Sequence, residues 1–137
     1  MVTKEGIAQR LIESGVFPTA QRLDVALVML SKPQHLSAEQ IIAGIRSMGS
    51  RVSKATVYNT LNLFCERGLL RTVEVDPTRQ YYDSCVEPHY HFYNVDTGEL
   101  TDIPTDAVDL SVGSPLPPAT RQVGVDVVIR VRGEKAD

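Results

Sequence analysis

All three histidines of this chain, His35, His89 and His91, stand where ligands of a divalent metal ion would be expected. His89 and His91 form an H-Y-H triplet in a segment with a strand pattern. Because alternate side chains of a strand point to one face, the two imidazoles would converge and could chelate one ion. Asp83 and Asp102 flank the triplet and supply carboxylates. The sequence therefore predicts a metal site around the triplet.

The two cysteines, Cys65 and Cys85, are not spaced like zinc ligands. They form no C-x-x-C pair, and a reducing compartment would keep both as thiols. Cys65 falls in an apolar helical stretch, where we expect it to be part of the core. Cys85 is near the predicted metal site, so a redox or ligand role stays open for it.

Charge is distributed unevenly along the 137 residues. Residues 1–72 carry nine Lys or Arg against five Asp or Glu, a net charge of +4, whereas residues 73–137 carry five against twelve, a net charge of −7. A basic half joined to an acidic half is typical of a nucleic-acid-reading module attached to a cation-binding or partner-binding module. Incidental segregation of surface charge is the alternative explanation.

The composition predicts a folded protein, since 42% of the residues are hydrophobic and no low-complexity tract is present. The first residues have helical spacing and lack the continuous apolar core of a signal peptide. No apolar run approaches the about 20 residues that a membrane span needs. We therefore expect a cytoplasmic protein without membrane association.

Four helices are predicted before any strand. They cover residues 3–14, residues 20–30 after a Thr19 cap, residues 38–48 after a Ser37 capping box with Gln40, and residues 54–67 after a Ser53 cap. Gly15, Gly49 and Gly68 follow three of them. The residues expected to face inward are Ile7, Leu11, Ile12, Leu23, Ala26, Leu27, Leu30, Ile41, Ile42, Ile45, Val57, Leu61 and Phe64.

A hairpin follows the helices. Residues 69–75 and 80–83 have strand patterns, and the intervening Asp76-Pro77-Thr78-Arg79 has turn chemistry. Helices in a helix-turn-helix order followed by such a hairpin make a winged helix. Its fourth helix would enter the major groove, and its wing, with Arg79 near the tip, would lie along the phosphate backbone.

Strands dominate the rest of the chain. Residues 90–95 and 99–103 flank a predicted tight turn at 96–98. Prolines in 104–120 exclude a long helix, so at most residues 105–111 are helical. Residues 122–132 alternate between apolar and other residues, which predicts a last strand. A three-stranded sheet this small is marginal alone, and dimerisation would cover it.

The chain resembles the ferric uptake regulator (Fur) family of bacterial metal-dependent transcription regulators over nearly its full length. The resemblance is carried by F-P-T-A-Q-R at 17–22, H-L-S-A-E-Q-I at 35–41, S-K-A-T-V-Y-N-T-L at 53–61 and H-Y-H at 89–91. It implies an α+β fold, with an N-terminal winged helix-turn-helix domain over residues 1–83. Residues 84–137 would be a small α/β dimerisation and metal-sensing domain. The implied assembly is a homodimer on a palindromic DNA operator.

The resemblance also implies one divalent metal per subunit. Its ligands would be His35, Asp83, His89, His91 and Asp102, a mixed N/O set that suits Fe(II), Mn(II) or Zn(II). Such a site would couple the two domains. The alternative is that His35 is a surface residue beside a helix cap and that His89 and His91 are an exposed strand pair.

For DNA, the resemblance places Tyr58 and Asn59 on the groove-facing side of the recognition helix. The further contacts expected to phosphates or bases are Arg22, Ser53, Lys54, Thr56 and, from the wing, Arg79. Tyr58 has an alternative role as a packing residue, because aromatic side chains bury well at such spacing.

Two departures bear on the branch of the family. Many members have cysteines of a structural zinc site where this chain has Asn94 and Thr97, and two cysteines cannot form a four-cysteine site within one chain. The segments at 91–104 and 124–132 resemble the iron response regulator (Irr) branch, in which haem status controls the protein. Here the usual H-H-H run is H-Y-H and no Cys-Pro haem motif is present. The peroxide-sensing branch shares Y-N-x-L in the recognition helix and an aspartate at the position of Asp102.

The resemblance thus implies a transcription regulator of iron or haem homeostasis rather than an enzyme. A peroxide-stress regulator is the nearest alternative. A mononuclear metal enzyme is an alternative of another class, since histidine and carboxylate ligands also serve oxygenation and hydrolysis. A metal-independent winged-helix module that binds a partner is a third.

Overall fold

The computed structural model describes residues 3–76 and 78–134, without the side chains of Asp76 and Arg79. The chain divides into two compact units, Met1–Val86 and Glu87–Asp137. This division falls after Val86, whereas the sequence places the domain boundary after Asp83. Ser84 belongs to the first unit, where its backbone N–H donates to the carbonyl of Gln34 at 3.2 Å.

Four helices make up most of the first unit, and each begins where a polar side chain caps it. They are α1 (Lys4–Glu13), α2 (Ala20–Met29), α3 (Ala38–Ser47) and α4 (Lys54–Glu66). The predicted Ser37 capping box is confirmed in both directions, since Ser37 accepts from the Gln40 backbone and Gln40 accepts from the Ser37 backbone. Capping by Thr19 and Ser53 is confirmed as well.

The helices enclose one hydrophobic core. Its largest fully buried side chains are Ile7, Leu11, Val25, Met29, Ile41, Ile45, Val57, Leu61 and Phe64. The prediction that Ile12 faces inward is wrong: Ile12 is 53% exposed, because it lies about 100° around the helix from Leu11. On α2 the predicted Ala26 and Leu30 are buried, and Leu23 and Leu27 are partly buried against the core. Val25 and Met29, which the sequence does not single out, are fully buried as well.

A small antiparallel sheet closes the first unit. Its strands are β1 (His35–Ser37), β2 (Arg71–Asp76) and β3 (Arg79–Asp83), in the order β1-β3-β2. The predicted hairpin is confirmed as β2 and β3. Strand β1 is not predicted by the sequence, since three residues are too few to show alternation. Its register places His35 opposite Asp83.

The second unit contains β4 (Tyr90–Asn94), β5 (Leu100–Ile103) and β6 (Val128–Val131), in the order β5-β4-β6. Strand β5 is antiparallel to β4, and β6 is parallel to it. The turn between β4 and β5 is held by Asn94, whose side-chain oxygen accepts from the backbone N–H groups of Asp96 (2.9 Å) and Thr97 (3.1 Å).

Two elements of the second unit are shorter than the sequence predicts. The helix expected within 105–111 is a 3-10 turn at Thr105–Ala107. The strand expected over 122–132 is limited to Val128–Val131, the residues that pair with β4. Pairing with one short partner strand, not the alternation of side chains, sets its length. The α+β fold class is confirmed, and none of the described helices is long and apolar enough to cross a bilayer.

Candidate metal centre and nucleic-acid interface

In the first unit, the pairing of β1 with β3 brings His35 and Asp83 together. The Nε2 atom of His35 lies 3.2 Å from Oδ2 of Asp83. The carboxylate is 1% exposed, and its Oδ1 accepts a hydrogen bond from the backbone N–H of Cys85 at 2.8 Å. The cross-strand register therefore aims one carboxylate oxygen at the imidazole while the other is fixed by the backbone.

Gln34 and Ser84, which the sequence does not single out, hold the ends of these strands. The backbone N–H of Gln34 donates to Oγ of Ser84 at 3.0 Å, and that hydroxyl donates to the carbonyl of Lys32 at 3.2 Å. The side-chain amide of Gln34 donates to the carbonyls of Val28 (2.7 Å) and Met29 (3.1 Å). The signal in the sequence is their position, since each is the neighbour of a candidate ligand.

In the second unit, two imidazoles face one carboxylate. The Nε2 atoms of His89 and His91 each lie 3.5 Å from Oδ1 of Asp102. His91 and Asp102 are register partners on β4 and β5. The rings of His89 and His91 meet edge-on, with centroids 4.5 Å apart. The convergence predicted for the triplet is confirmed, although His89 precedes β4 by one residue rather than lying within it.

The orientation of His89 is set by a backbone carbonyl. Its Nδ1 atom lies 2.6 Å from the carbonyl oxygen of Glu87, which can only accept a hydrogen bond. A neutral ring must then carry its proton on Nδ1. The lone pair of Nε2 then lies on the side of the ring that faces the Asp102 carboxylate. Metal-binding histidines typically have this arrangement.

Burial differs among the three groups of this cluster. His91 is 2% exposed and His89 is 8% exposed, whereas the side chain of Asp102 is half exposed. The interpretation of the two histidines as an exposed strand pair is therefore wrong. Two buried imidazoles and one carboxylate that still reaches solvent form a donor set suited to a borderline divalent cation.

The two cysteines occupy different environments. Cys65 packs against the hydrophobic core, and burial raises the pKa of its thiol. A raised pKa favours the unreactive protonated form, which agrees with a structural role. The nearby Tyr82 also has a raised pKa, first because of burial and then because of Cys65 and Tyr58. Cys85 contributes a backbone N–H to Asp83.

Among the residues predicted to contact DNA, the structure brings Arg22, Thr56 and Asn59 to one cleft. This cleft, of about 230 Å³, separates the start of α2 from α4 and is lined by Thr19, Gln21, Arg22, Thr56, Asn59, Thr60 and Leu63. The guanidinium of Arg22 donates to the carbonyl of Phe17 at 3.0 Å, which orients it. Gln21 is an additional polar group of this cleft, and no sequence motif distinguishes it.

Tyr58 lies beside a different cleft. Successive residues of a helix are about 100° apart, so Tyr58 and Asn59 occupy neighbouring faces of α4. The second cleft, of about 470 Å³, is lined by Ser37, Ala38, Glu39, Tyr58, Thr78, Gln80, Tyr81 and Tyr82. Tyr58 is 42% exposed, so its phenol ring is not buried as a core packing residue would be.

The remaining predicted contacts surround the start of α4. Ser53 accepts from the backbone N–H of Thr56 (3.2 Å) and donates to its hydroxyl (2.9 Å), so both hydroxyls serve the helix cap. Lys54 is exposed in the first turn. The backbone of Arg79 begins β3, but its side chain lies outside the described part of the chain.

Comparison with known proteins agrees with this architecture. The ferric uptake regulation protein of Synechococcus elongatus is 29% identical over 116 residues, which cover 82% of this chain and 78% of that protein. The peroxide operon regulator of Bacillus subtilis is 28% identical over 101 residues, covering 74% and 70%. The structure of the ferric uptake regulator from Pseudomonas aeruginosa with manganese matches with a TM-score of 0.67 at 25% identity, covering 93% and 97%.

The relatives from Synechococcus elongatus and Bacillus subtilis are named as regulators, not as enzymes. A sequence profile of the Ferric uptake regulator family matches residues 13–112, which is well over half of the chain. The matched segment includes the caps of α2, α3 and α4 and all five candidate metal ligands. With the winged helix and the histidine–aspartate clusters in place, the chain belongs to the Ferric uptake regulator family.

Proposed function

We propose that this protein is a metal-responsive transcription regulator that binds palindromic operator DNA as a homodimer. One divalent ion per subunit would be held by His35 and Asp83 of the first unit together with His89, His91 and Asp102 of the second. The observation that carries the proposal is the convergence of two Nε2 atoms on one oxygen of Asp102, with Nδ1 of His89 held against the Glu87 carbonyl.

The chemistry of the residues fits a divalent ion. Three imidazole nitrogens and two carboxylates form a mixed set that suits Fe(II), Mn(II) or Zn(II). When bound, the ion would neutralise the carboxylates and tie together ligands from both units. The chain's own contribution is to fix His35, Asp83 and His89 beforehand, through the β1–β3 pair, the Glu87 carbonyl and the Cys85 N–H. The pairing of β4 with β5 places His91 opposite Asp102. The manganese in the related Pseudomonas aeruginosa structure supports this class of ion.

DNA binding is proposed for the surface around α4. Tyr58 and Asn59 would contact bases, while Arg22, Ser53, Lys54, Thr56 and Arg79 would contact phosphates or neighbouring bases. Phenol, amide and guanidinium groups are chemically suited to these tasks. The net charge of +4 over residues 1–72, which include all four helices, supports the assignment of DNA to this surface.

We infer that iron or haem homeostasis is the process regulated, as in the Irr branch. The support is the sequence of the second unit, which has no cysteines at the positions of Asn94 and Thr97. Haem status controls the regulators of that branch, and the absence of a Cys-Pro motif from this chain argues against haem as its cofactor. The likeness to the Bacillus subtilis peroxide operon regulator favours peroxide sensing as the second candidate. If peroxide oxidises a metal-binding residue of the Fe(II)-loaded protein, the result would favour the peroxide sensor over the regulator of iron or haem homeostasis.

The test is a metal analysis followed by a DNA titration. Protein purified without chelators or nickel should contain one equivalent of a transition metal per chain. A duplex recovered by selection from random DNA should then bind with an affinity that changes about 5- to 150-fold on treatment with EDTA. Unchanged DNA affinity after metal removal would instead identify a metal-independent winged-helix module. If the selection recovers no DNA duplex and the protein instead converts a substrate catalytically, the result would point to an enzyme.

A further inference from the structure

We propose that Gln34 is a positioning residue that couples the candidate ligand His35 to α2, and through α2 to the cleft that contains Arg22 and Asn59. The inference rests on the proposed function, because it names the part of the first unit that would carry the response to metal. Every contact used in the argument lies within that unit.

The side chain of Gln34 completes the end of α2. The last carbonyls of a helix have no partner within the helix. The amide of Gln34 donates to two of them, the carbonyls of Val28 at 2.7 Å and Met29 at 3.1 Å. One side chain from outside the helix thus holds its last turn.

The backbone of Gln34 belongs to the segment that positions the ligand pair. It exchanges hydrogen bonds with Ser84, whose Oγ accepts from the Gln34 N–H at 3.0 Å and whose own N–H donates to the Gln34 carbonyl at 3.2 Å. Gln34 directly precedes His35, and Ser84 directly follows Asp83. The two residues therefore close the ladder next to the His35–Asp83 pair.

Helix α2 is a rigid connection between this ladder and the DNA-contact cleft. Its ten residues span about 15 Å. Arg22, near its start, lines the cleft with Thr56 and Asn59. Near its end, Val28 packs so closely on α3 that a Cβ atom at Gly44 would lie 3.0 Å from Cγ1 of Val28. A change at the Val28 carbonyl has little room to relax locally, and a helix transmits it along its axis.

The consequence is that the first unit differs between the metal-free protein and the protein in which a metal ion holds His35. When the imidazole of His35 is held in place, the β1–β3 ladder and the Gln34 amide are held with it. The last turn of α2 is then capped, and the helix keeps Arg22 in the cleft. When His35 is released, the cap becomes intermittent and the position of Arg22 becomes less defined.

The test compares Gln34→Met with Gln9→Met. Methionine keeps the length of the side chain but donates no hydrogen bond. Gln9 is an exposed residue of α1 whose amide reaches only Glu13, at 3.4 Å, so it is the matched control. Full-length proteins are titrated with Mn(II) alone and with the selected DNA duplex, both in Mn(II) and in EDTA. The measured quantity is the ratio of the two DNA dissociation constants.

We expect the wild-type protein and Gln9→Met to share one ratio, within the about 5- to 150-fold range of allosteric coupling. For Gln34→Met the ratio should fall to within about twofold of one, while DNA affinity in EDTA stays unchanged. A wild-type ratio in Gln34→Met would overturn the coupling role of Gln34. A ratio of one in the wild-type protein would overturn the proposed function itself, and with it this inference.

Hydrogen exchange gives a second readout that needs no DNA. Mn(II) should slow exchange of the backbone amides at the end of α2 in the wild-type protein but not in Gln34→Met. Ser84→Ala removes the hydroxyl from Gln34 while sparing the amide contacts, and it should reduce the ratio in part. It also keeps the test decisive if Gln34→Met does not fold. Unchanged ratios and exchange in Ser84→Ala would contradict the proposal.

Discussion

At the scale of single residues, the candidate metal site depends on atoms that the backbone places. The Glu87 carbonyl decides which nitrogen of His89 is available, and the Cys85 N–H occupies one oxygen of Asp83. Neither backbone contact can be recognised from the type of residue that makes it. A sequence identifies the imidazoles and carboxylates by type, but the tautomer and the orientation follow only from the fold.

His91→Ala should remove most of the bound metal. Loss of one ligand forfeits much of the binding free energy, so metal content measured by mass spectrometry should fall well below that of the wild-type protein. DNA affinity should change with it, although residue 91 lies outside the winged helix. Glu99→Gln, an exposed position in the turn before β5, is the control and should keep both properties. Wild-type metal content in His91→Ala would refute the assignment.

Tyr58→Ala and Asn59→Ala should each weaken specific DNA binding by about 1–3 kcal/mol while metal content stays constant, because base contacts carry discrimination. Arg79→Ala should instead lower affinity evenly across sequences and flatten its dependence on salt. Fluorescence anisotropy with selected and scrambled duplexes distinguishes these patterns. Unfolding of Tyr58→Ala, seen by circular dichroism, would show that the ring has a packing role after all.

At the scale of elements, local signals account for the helices. A cap residue, a glycine after the last turn and apolar spacing all lie within one helix, and each of the four helices starts within one residue of its prediction. Strand β1 has no such signal, because its three residues exist as a strand only through pairing with β3. The contacts of Gln34 and Ser84 depend on that register and are equally invisible in the sequence.

Ser37→Ala should lower the free energy of unfolding by about 1 kcal/mol, since it removes the side-chain acceptor of the α3 capping box. Urea denaturation followed by circular dichroism measures the change. Ser47→Ala, near the other end of the same helix, is the matched control and should have a smaller effect, because its hydroxyl only donates to the Gly44 carbonyl. Equal effects of both variants would argue against the cap as the source.

At the scale of the whole molecule, we expect a homodimer formed by the second unit. Its edge strand β6 leaves Ile129 and Val131 more than a third exposed, and an apolar edge of this kind favours association. Light scattering should give twice the 15.1 kDa chain mass at micromolar concentration. Ile129→Asp should shift the protein towards monomer, whereas Met48→Asp, an exposed site on the first unit, should not. A monomeric wild-type protein would refute the expectation.

The dimer would set the spacing of the operator. Two-fold related recognition helices address half-sites whose centres are about 34 Å, or a multiple of that, apart along the duplex. Footprinting of the selected DNA measures this spacing directly. A single, asymmetric protected half-site would show that one subunit binds alone.

The parallel pairing of β4 with β6 has a consequence for the order in which the protein folds. His91 donates its backbone N–H to the carbonyl of Val127, far along the chain across the proline-containing segment. Contacts between residues distant in sequence form slowly, because the chain must lose the entropy of a long loop before these contacts can stabilise it. The helices of the first unit depend on local contacts instead. The winged helix should therefore form first. A refolding experiment should show helical signal returning before the capacity to bind metal.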